Sequence, residues 1–140
     1  MKKIIILLLI MSASLTFSQE NTNSSSQDLG ATVEFKTWKT KYLSLLKSAD
    51  INVNACNGII KKHTYLNRRG EKMYDSDTFT KQEKITFNKN LDILDSKLKQ
   101  IGELEDNRNL YLYWIDLATI KESAQSYNLS TFYNTTSRCY

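Results

Sequence analysis

In 140 residues the chain has one histidine, two cysteines, four glycines and no proline. These scarcities exclude several chemistries. A single imidazole, His63, leaves a metal centre without the second histidine or intact motif it ordinarily needs. There is no Glu-x-x-His, the pair with which helical bundles hold two irons, and no Cys-x-x-Cys-His for covalent haem attachment. The glycines Gly30, Gly58, Gly70 and Gly102 lie too far apart to build a P-loop or a Gly-x-Gly-x-x-Gly turn, and the Gly-x-Ser-x-Gly elbow of serine hydrolases is missing. Asp75-Ser76-Asp77 starts like a calcium loop. It then places Phe79 at the fifth position, Thr80 where glycine makes the sharp turn, and Thr86 where a bidentate glutamate belongs. Neither a metal nor a cofactor is expected, and no catalytic residue is assigned.

What is present begins with residues 1–18. Lys2 and Lys3 precede an unbroken apolar run from Ile4 to Met11, and Thr16 and Ser18 put small residues at −3 and −1 of a cut after Ser18. The run is far shorter than the roughly 20 residues that span a bilayer. The expectation is a cleavable secretory signal, a mature chain starting near Gln19, and delivery to the periplasm or the extracellular space. The Lys-, Asn- and Ile-rich composition fits an AT-rich bacterial coding sequence.

The basic balance belongs partly to that signal. The whole chain has 19 Lys and Arg against 15 Asp and Glu. Without Lys2 and Lys3 the cations number 17, and the net charge falls from +4 to +2. Nucleic-acid binding calls for a clustered cationic footprint that this balance does not provide. In an oxidising compartment Cys56 and Cys139 can pair, and closing so long a loop restricts the unfolded chain by ~4–5 kcal/mol. With no Cys-x-x-Cys motif to suggest redox chemistry, the expected role is a disulfide stapling the C-terminal tail to the body.

Residues 19–30 are polar, rich in Ser and Asn, and read as a flexible lead-in. From Ala31, the residues Phe35, Trp38, Tyr42, Leu45, Leu46 and Ala49 fall on one helical face. Asp50 is placed to cap a second helix with Val53, Cys56, Ile59, Ile60, His63 and Leu66 on its stripe and Gly70 as its stop. After a polar, turn-rich stretch, Thr80 and Glu83 form a capping box that opens the clearest helix, with Phe87, Leu91, Leu94, Leu98 and Ile101 along its seam. Asp95 and Lys99 add an i,i+4 ion pair. A turn at residues 105–109 leads to a fourth helix from Leu110 to about Tyr127, followed by an irregular tail. The fold class is therefore all-α: residues 31–140 form a single domain of about four helices in a small antiparallel bundle, with the tail pinned by the disulfide.

One surface stands out. Lys61, Lys62, Arg68, Arg69 and Lys72 gather around the end of the second helix and the following turn. Cations favour a helix C-terminus whatever the function, and the same cluster can face an acidic protein, a polysaccharide or a lipid headgroup. The leading expectation is a small exported, non-catalytic binding protein of inhibitor, immunity or envelope-accessory type, its partner another envelope or secreted protein. Two alternatives stay open: an exported hydrolase or toxin using His63 with a nearby carboxylate, and a bundle carrying an apolar ligand.

Overall fold

The structure, a computed structural model, describes residues 25–111, 115 and 117–140. The expected signal peptide at residues 1–18 lies outside these, as do residues 112–114 and 116 of the expected fourth helix. In order come α1 (Ser25–Lys62), β1 (Thr64–Leu66), β2 (Lys72–Tyr74), a 3₁₀ turn (Ser76–Thr78), α2 (Lys81–Asp106), a second 3₁₀ turn (Arg108–Tyr111) and α3 (Leu117–Thr135). The described residues fall into two compact units, 25–37 and Trp38–Tyr140. The first is the opening of α1, where Thr37 Oγ1 donates to the Val33 carbonyl at 3.0 Å. It includes six residues, 25–30, expected as flexible lead-in. All that follows concerns the second unit.

The all-α class holds, but among the described residues three helices and a two-stranded sheet replace the expected four helices. Asp50 does not cap a new helix. Its carboxylate accepts the Asn54 side-chain amide one turn on, at 3.2 Å, and the helix runs through. The reason lies in the apolar stripe, whose phase is unbroken across Asp50. Trp38, Tyr42, Leu46, Ala49, Val53, Cys56 and Ile59 step by three and four and are all buried, so a continuous helix buries them all on one face.

α1 and α2 lie antiparallel. Trp38 Nε1 donates to the Leu104 carbonyl (2.8 Å) and the Tyr42 hydroxyl to Glu105 (2.8 Å), while Cys56 Sγ meets the Phe87 carbonyl at 3.8 Å. Midway, a polar layer interrupts the apolar seam. The buried Asn52 donates to Asn90 Oδ1 at 2.8 Å, and Lys97 Nζ reaches Asn52 Oδ1 (2.6 Å) and the Ser48 carbonyl (2.9 Å). Burial holds the Lys97 ammonium below the ordinary lysine range. Sliding either helix by a turn would strand these groups at about 1–3 kcal/mol each, so the layer fixes the register. α3 runs back along α2, with Ser123 beside Tyr42 and Tyr133 beside Asp95.

The expected disulfide is not formed: Cys56 and Cys139 are both buried free thiols. They share an apolar cluster with Ile59, Phe79, Phe87 and Leu91. Burial pushes the Cys56 thiol up to about 11 and raises that of Cys139 as well. Hydrogen bonds from α2 pin the tail in place of the disulfide. Asn88 Nδ2 donates to the Cys139 carbonyl (2.6 Å) and its Oδ1 accepts the Cys139 N–H (2.9 Å), so a single amide brackets the backbone of one residue. Lys84 Nζ donates to the Tyr140 carbonyl at 2.9 Å, and Arg138 pairs with Asp92. The tail is also more helical than expected, since α3 extends to Thr135.

Replacing Asn88 by Ala leaves both Cys139 backbone groups without partners and is expected to cost about 1–3 kcal/mol in urea unfolding. It should also speed labelling of Cys139, but not of Cys56, by a thiol reagent under native conditions. Denatured, unreduced wild-type protein should take up two labels per chain. Uptake of none would restore the disulfide.

Candidate functional site

α1 ends at Lys62 because the next residues suit a hairpin better than another turn of helix. Tyr65 pairs with Met73 and Leu66 with Lys72 in antiparallel register. The loop between them closes with Gly70 N–H donating to the Asn67 carbonyl (2.9 Å) and Asn67 N–H to the Glu71 carbonyl (3.0 Å). Asn67 Oδ1 also accepts the Arg69 and Glu71 N–H groups at 2.9 and 3.0 Å. Gly70 has φ +76°, the left-handed conformation that a three-residue hairpin loop requires at its last position. The glycine expected as a helix stop is thus a hairpin residue.

The hairpin and the turn of α1 before it bear all five residues of the expected basic cluster. Lys61 and Lys62 close the helix, Arg68 and Arg69 form the loop, and Lys72 opens β2; all are exposed. Three strand residues at about 3.4 Å each separate the helix end from the loop by roughly 10 Å, about one Debye length at 0.1 M salt. Over residues 61–74 the only acidic residue is Glu71, whose carboxylate is bonded to the Asn67 amide at 2.7 Å. Lys62 lies 3.6 Å from Glu83 Oε1. Among the described residues no carboxylate pairs with Lys61, Arg68, Arg69 or Lys72.

The sequence reading missed the apolar half of this surface. Leu66, assigned to a core stripe, is 65 % exposed, and the facing pair Tyr65 and Met73 is 52 % and 45 % exposed. Tyr65 and Met73 share one face of the hairpin; the other carries Leu66 and Lys72 together with Thr64 and Tyr74, and there Tyr74 packs on Phe79, ring centroids 6.2 Å apart, and roots the strands in the core. The short β-prone runs Thr64-Tyr65-Leu66 and Lys72-Met73-Tyr74, either side of the glycine-containing Asn-Arg-Arg-Gly-Glu, were the available signal.

His63 joins the hairpin to α2. Its Nε2 lies 2.8 Å from Glu83 Oε2 and its Nδ1 2.9 Å from Thr78 Oγ1, and its ring packs on Phe79 with centroids 4.8 Å apart. Glu83 Oε2 also accepts the Thr80 N–H at 2.9 Å, and Thr80 Oγ1 accepts the Glu83 N–H at 3.1 Å, which completes the expected capping box. The Thr78 hydroxyl donates to the Asp75 carbonyl at 2.6 Å, so it can only accept from His63. The imidazole therefore does have the carboxylate neighbour that a hydrolytic site would use. Both ring nitrogens, however, lie within hydrogen-bond distance of partners inside the fold. The side chains are 17 % and 19 % exposed. Geometrically this is a clamp.

Other acidic side chains are also engaged: Glu105 with Tyr42, Asp92 with Arg138, and Asp95 with Lys99 at 2.8 Å as expected. Asp75 Oδ1 accepts the Asp77 N–H at 2.9 Å in a local turn. Among the described residues no group of three His, Cys, Asp or Glu side chains could hold a metal ion, and no helix is long and apolar enough to cross a membrane. An open groove of about 320 Å³ lies between α1 and α3, lined by Leu43, Lys47, Asp50, Glu122 and Gln125. Its charged rim does not resemble an apolar ligand cavity. Neither protein-family models, nor curated proteins, nor solved structures show a match to the chain.

The Glu83 carboxyl is held below its ordinary value of 4.5, first by the Thr80 N–H and then by His63 and Lys62. A depressed folded-state value stabilises the fold above pH 4.5, and that contribution fades as pH falls through the folded value. The thermal midpoint of wild type should therefore exceed that of Glu83→Gln at neutral pH, and the gap should close as the pH falls below 4.5 and through the folded-state value. A gap independent of pH would show that charge on Glu83 is not its source.

Proposed function

We propose that the protein is a small exported binding protein of the bacterial periplasm or extracellular space that acts without catalysis, with its basic hairpin as the contact surface. The supporting observation is the juxtaposition, at the end of α1 and in the hairpin that follows it, of four cations with no carboxylate partner among the described residues and three exposed apolar side chains. A monomer surface ordinarily scatters its exposed apolar residues singly. Here Tyr65 and Met73 stand side by side, with Leu66 close to the loop. The hydrolytic alternative draws on the same end of the molecule, but its imidazole is committed to Glu83 and Thr78. Export rests on residues 1–18, and the partner's identity on the chemistry of the hairpin.

The test is a photo-reactive amino acid at Tyr65 in cells exporting the protein. The expected result is a discrete adduct on chains whose N-terminus is Gln19. Its yield should fall at least about tenfold when Lys61, Lys62, Arg68 and Arg69 are changed to Gln, the loss of roughly 1 kcal/mol or more of local charge attraction. The same probe at Ile93, exposed on α2, should give no such adduct. Equal yields at the two positions, or chains retained inside the cell with residues 1–18 intact, would overturn the proposal.

A further inference from the structure

We infer that the hairpin seats on an anionic lipid surface, with Tyr65 and Met73 entering the headgroup layer and the surrounding Lys and Arg contacting lipid phosphates. The inference rests on the binding reading above and names the class of partner. Three observations favour lipid over an acidic protein.

The first is size. Thr64 to Tyr74 is an element of 11 residues, whereas a stable protein interface takes about 20–30 residues a side. A lipid surface needs no such complementary area, only charge and shallow apolar insertion. The second is the arrangement of side chains. Tyr65 and Met73 form a cross-strand pair on the hairpin face opposite Tyr74, so they reach a surface together while Tyr74 stays on Phe79. Tyrosine is suited to the interface because its ring is apolar and its hydroxyl stays wet. Lys and Arg can lay their aliphatic stems along the same depth with their charges outward. The third is charge. Five cations against one acidic residue over residues 61–74, spaced within about a Debye length, act on an anionic surface as a group.

The backbone limits the depth. Among the described residues each strand pairs only with the other, so the outer edges need water or headgroups, and the hairpin rests in the interface without entering hydrocarbon.

The experiment is co-sedimentation of purified, exported protein with vesicles of phosphatidylcholine alone and with about one-third phosphatidylglycerol, at ~0.1 M salt. Binding to the anionic vesicles should exceed binding to neutral ones by at least about tenfold and should decline steeply with added salt. With Lys61, Lys62, Arg68 and Arg69 changed to Gln, affinity for anionic vesicles should fall by on the order of a hundredfold or more, at roughly fivefold per cation. A Tyr65→Ser, Met73→Ser variant should lose about tenfold while keeping its salt dependence. Both variants change exposed side chains, and matching thermal midpoints confirm that they fold. Equal binding to the two vesicle types, or undiminished binding by the charge-neutralised variant, would overturn the inference. So would binding to polyglutamate without binding to vesicles. If vesicles fail while the Tyr65 probe still forms a protein adduct, the binding reading survives and the lipid assignment does not. If both fail, both are removed.

Discussion

One carboxylate oxygen, Glu83 Oε2, takes the Thr80 N–H of its own helix cap and faces the His63 imidazole across the helix pair. From there the connections run outward. His63 Nδ1 reaches Thr78 in the 3₁₀ turn, Thr78 reaches Asp75, and the His63 ring lies on Phe79, which stacks on Tyr74 of β2 and meets Phe87 of α2 edge-on at 5.4 Å. The end of α1, the root of the hairpin and the start of α2 thus share one polar node with an aromatic floor. A hairpin of two three-residue strands joined by five residues is marginal alone in water. Anchoring by Tyr74 and His63 gives the basic loop a fixed direction.

The rest of the second unit is held by division of labour along the helices. Near Trp38 and Tyr42 the polar tips of two stacked aromatic rings, centroids 5.1 Å apart, are satisfied by Leu104 and Glu105. That environment pushes the Tyr42 hydroxyl up to about 12, burial being the larger cause and Glu105 the next. At mid-length the Asn52–Asn90–Lys97 layer sets the register, and near Cys56 the seam becomes wholly apolar. The tail closes over that last stretch under the hold of Asn88.

Legibility followed the range of the interactions. The capping box at Thr80 and Glu83, the Asp95–Lys99 pair and the seam from Phe87 to Ile101 depend on neighbours three or four residues apart, and all were readable. The stripe in α1 was readable too, but Asp50 drew a boundary that the unbroken phase of Leu46, Ala49 and Val53 argues against. The hairpin was hidden because Leu66 continues the helical spacing by coincidence, and Gly70 serves as helix stop and as left-handed loop residue equally well. The free thiols show the limit of compartment arguments. Two cysteines can belong to one cluster unbonded, with the tail tied down by an amide, and nothing local in the sequence distinguishes that from a bridge. Of the candidate surface, the five cations were identified from sequence. Their apolar companions Tyr65 and Met73 required the strand register, and the Glu83 partner of His63 required the helix pairing.

In this account, charge, exposed apolar side chains and a rigid mount come together at one end of the molecule, and the clamp at Glu83 makes the surface a defined shape. Hydrogen exchange at the hairpin amides, compared between wild type and His63→Ala, tests that claim most directly. The clamp predicts much faster exchange at Asn67 and Gly70, whose N–H groups close the loop, with little change at amides in the middle of α2. Unchanged protection at Asn67 and Gly70 in a folded variant would contradict it, and the hairpin would then owe its order to its own residues.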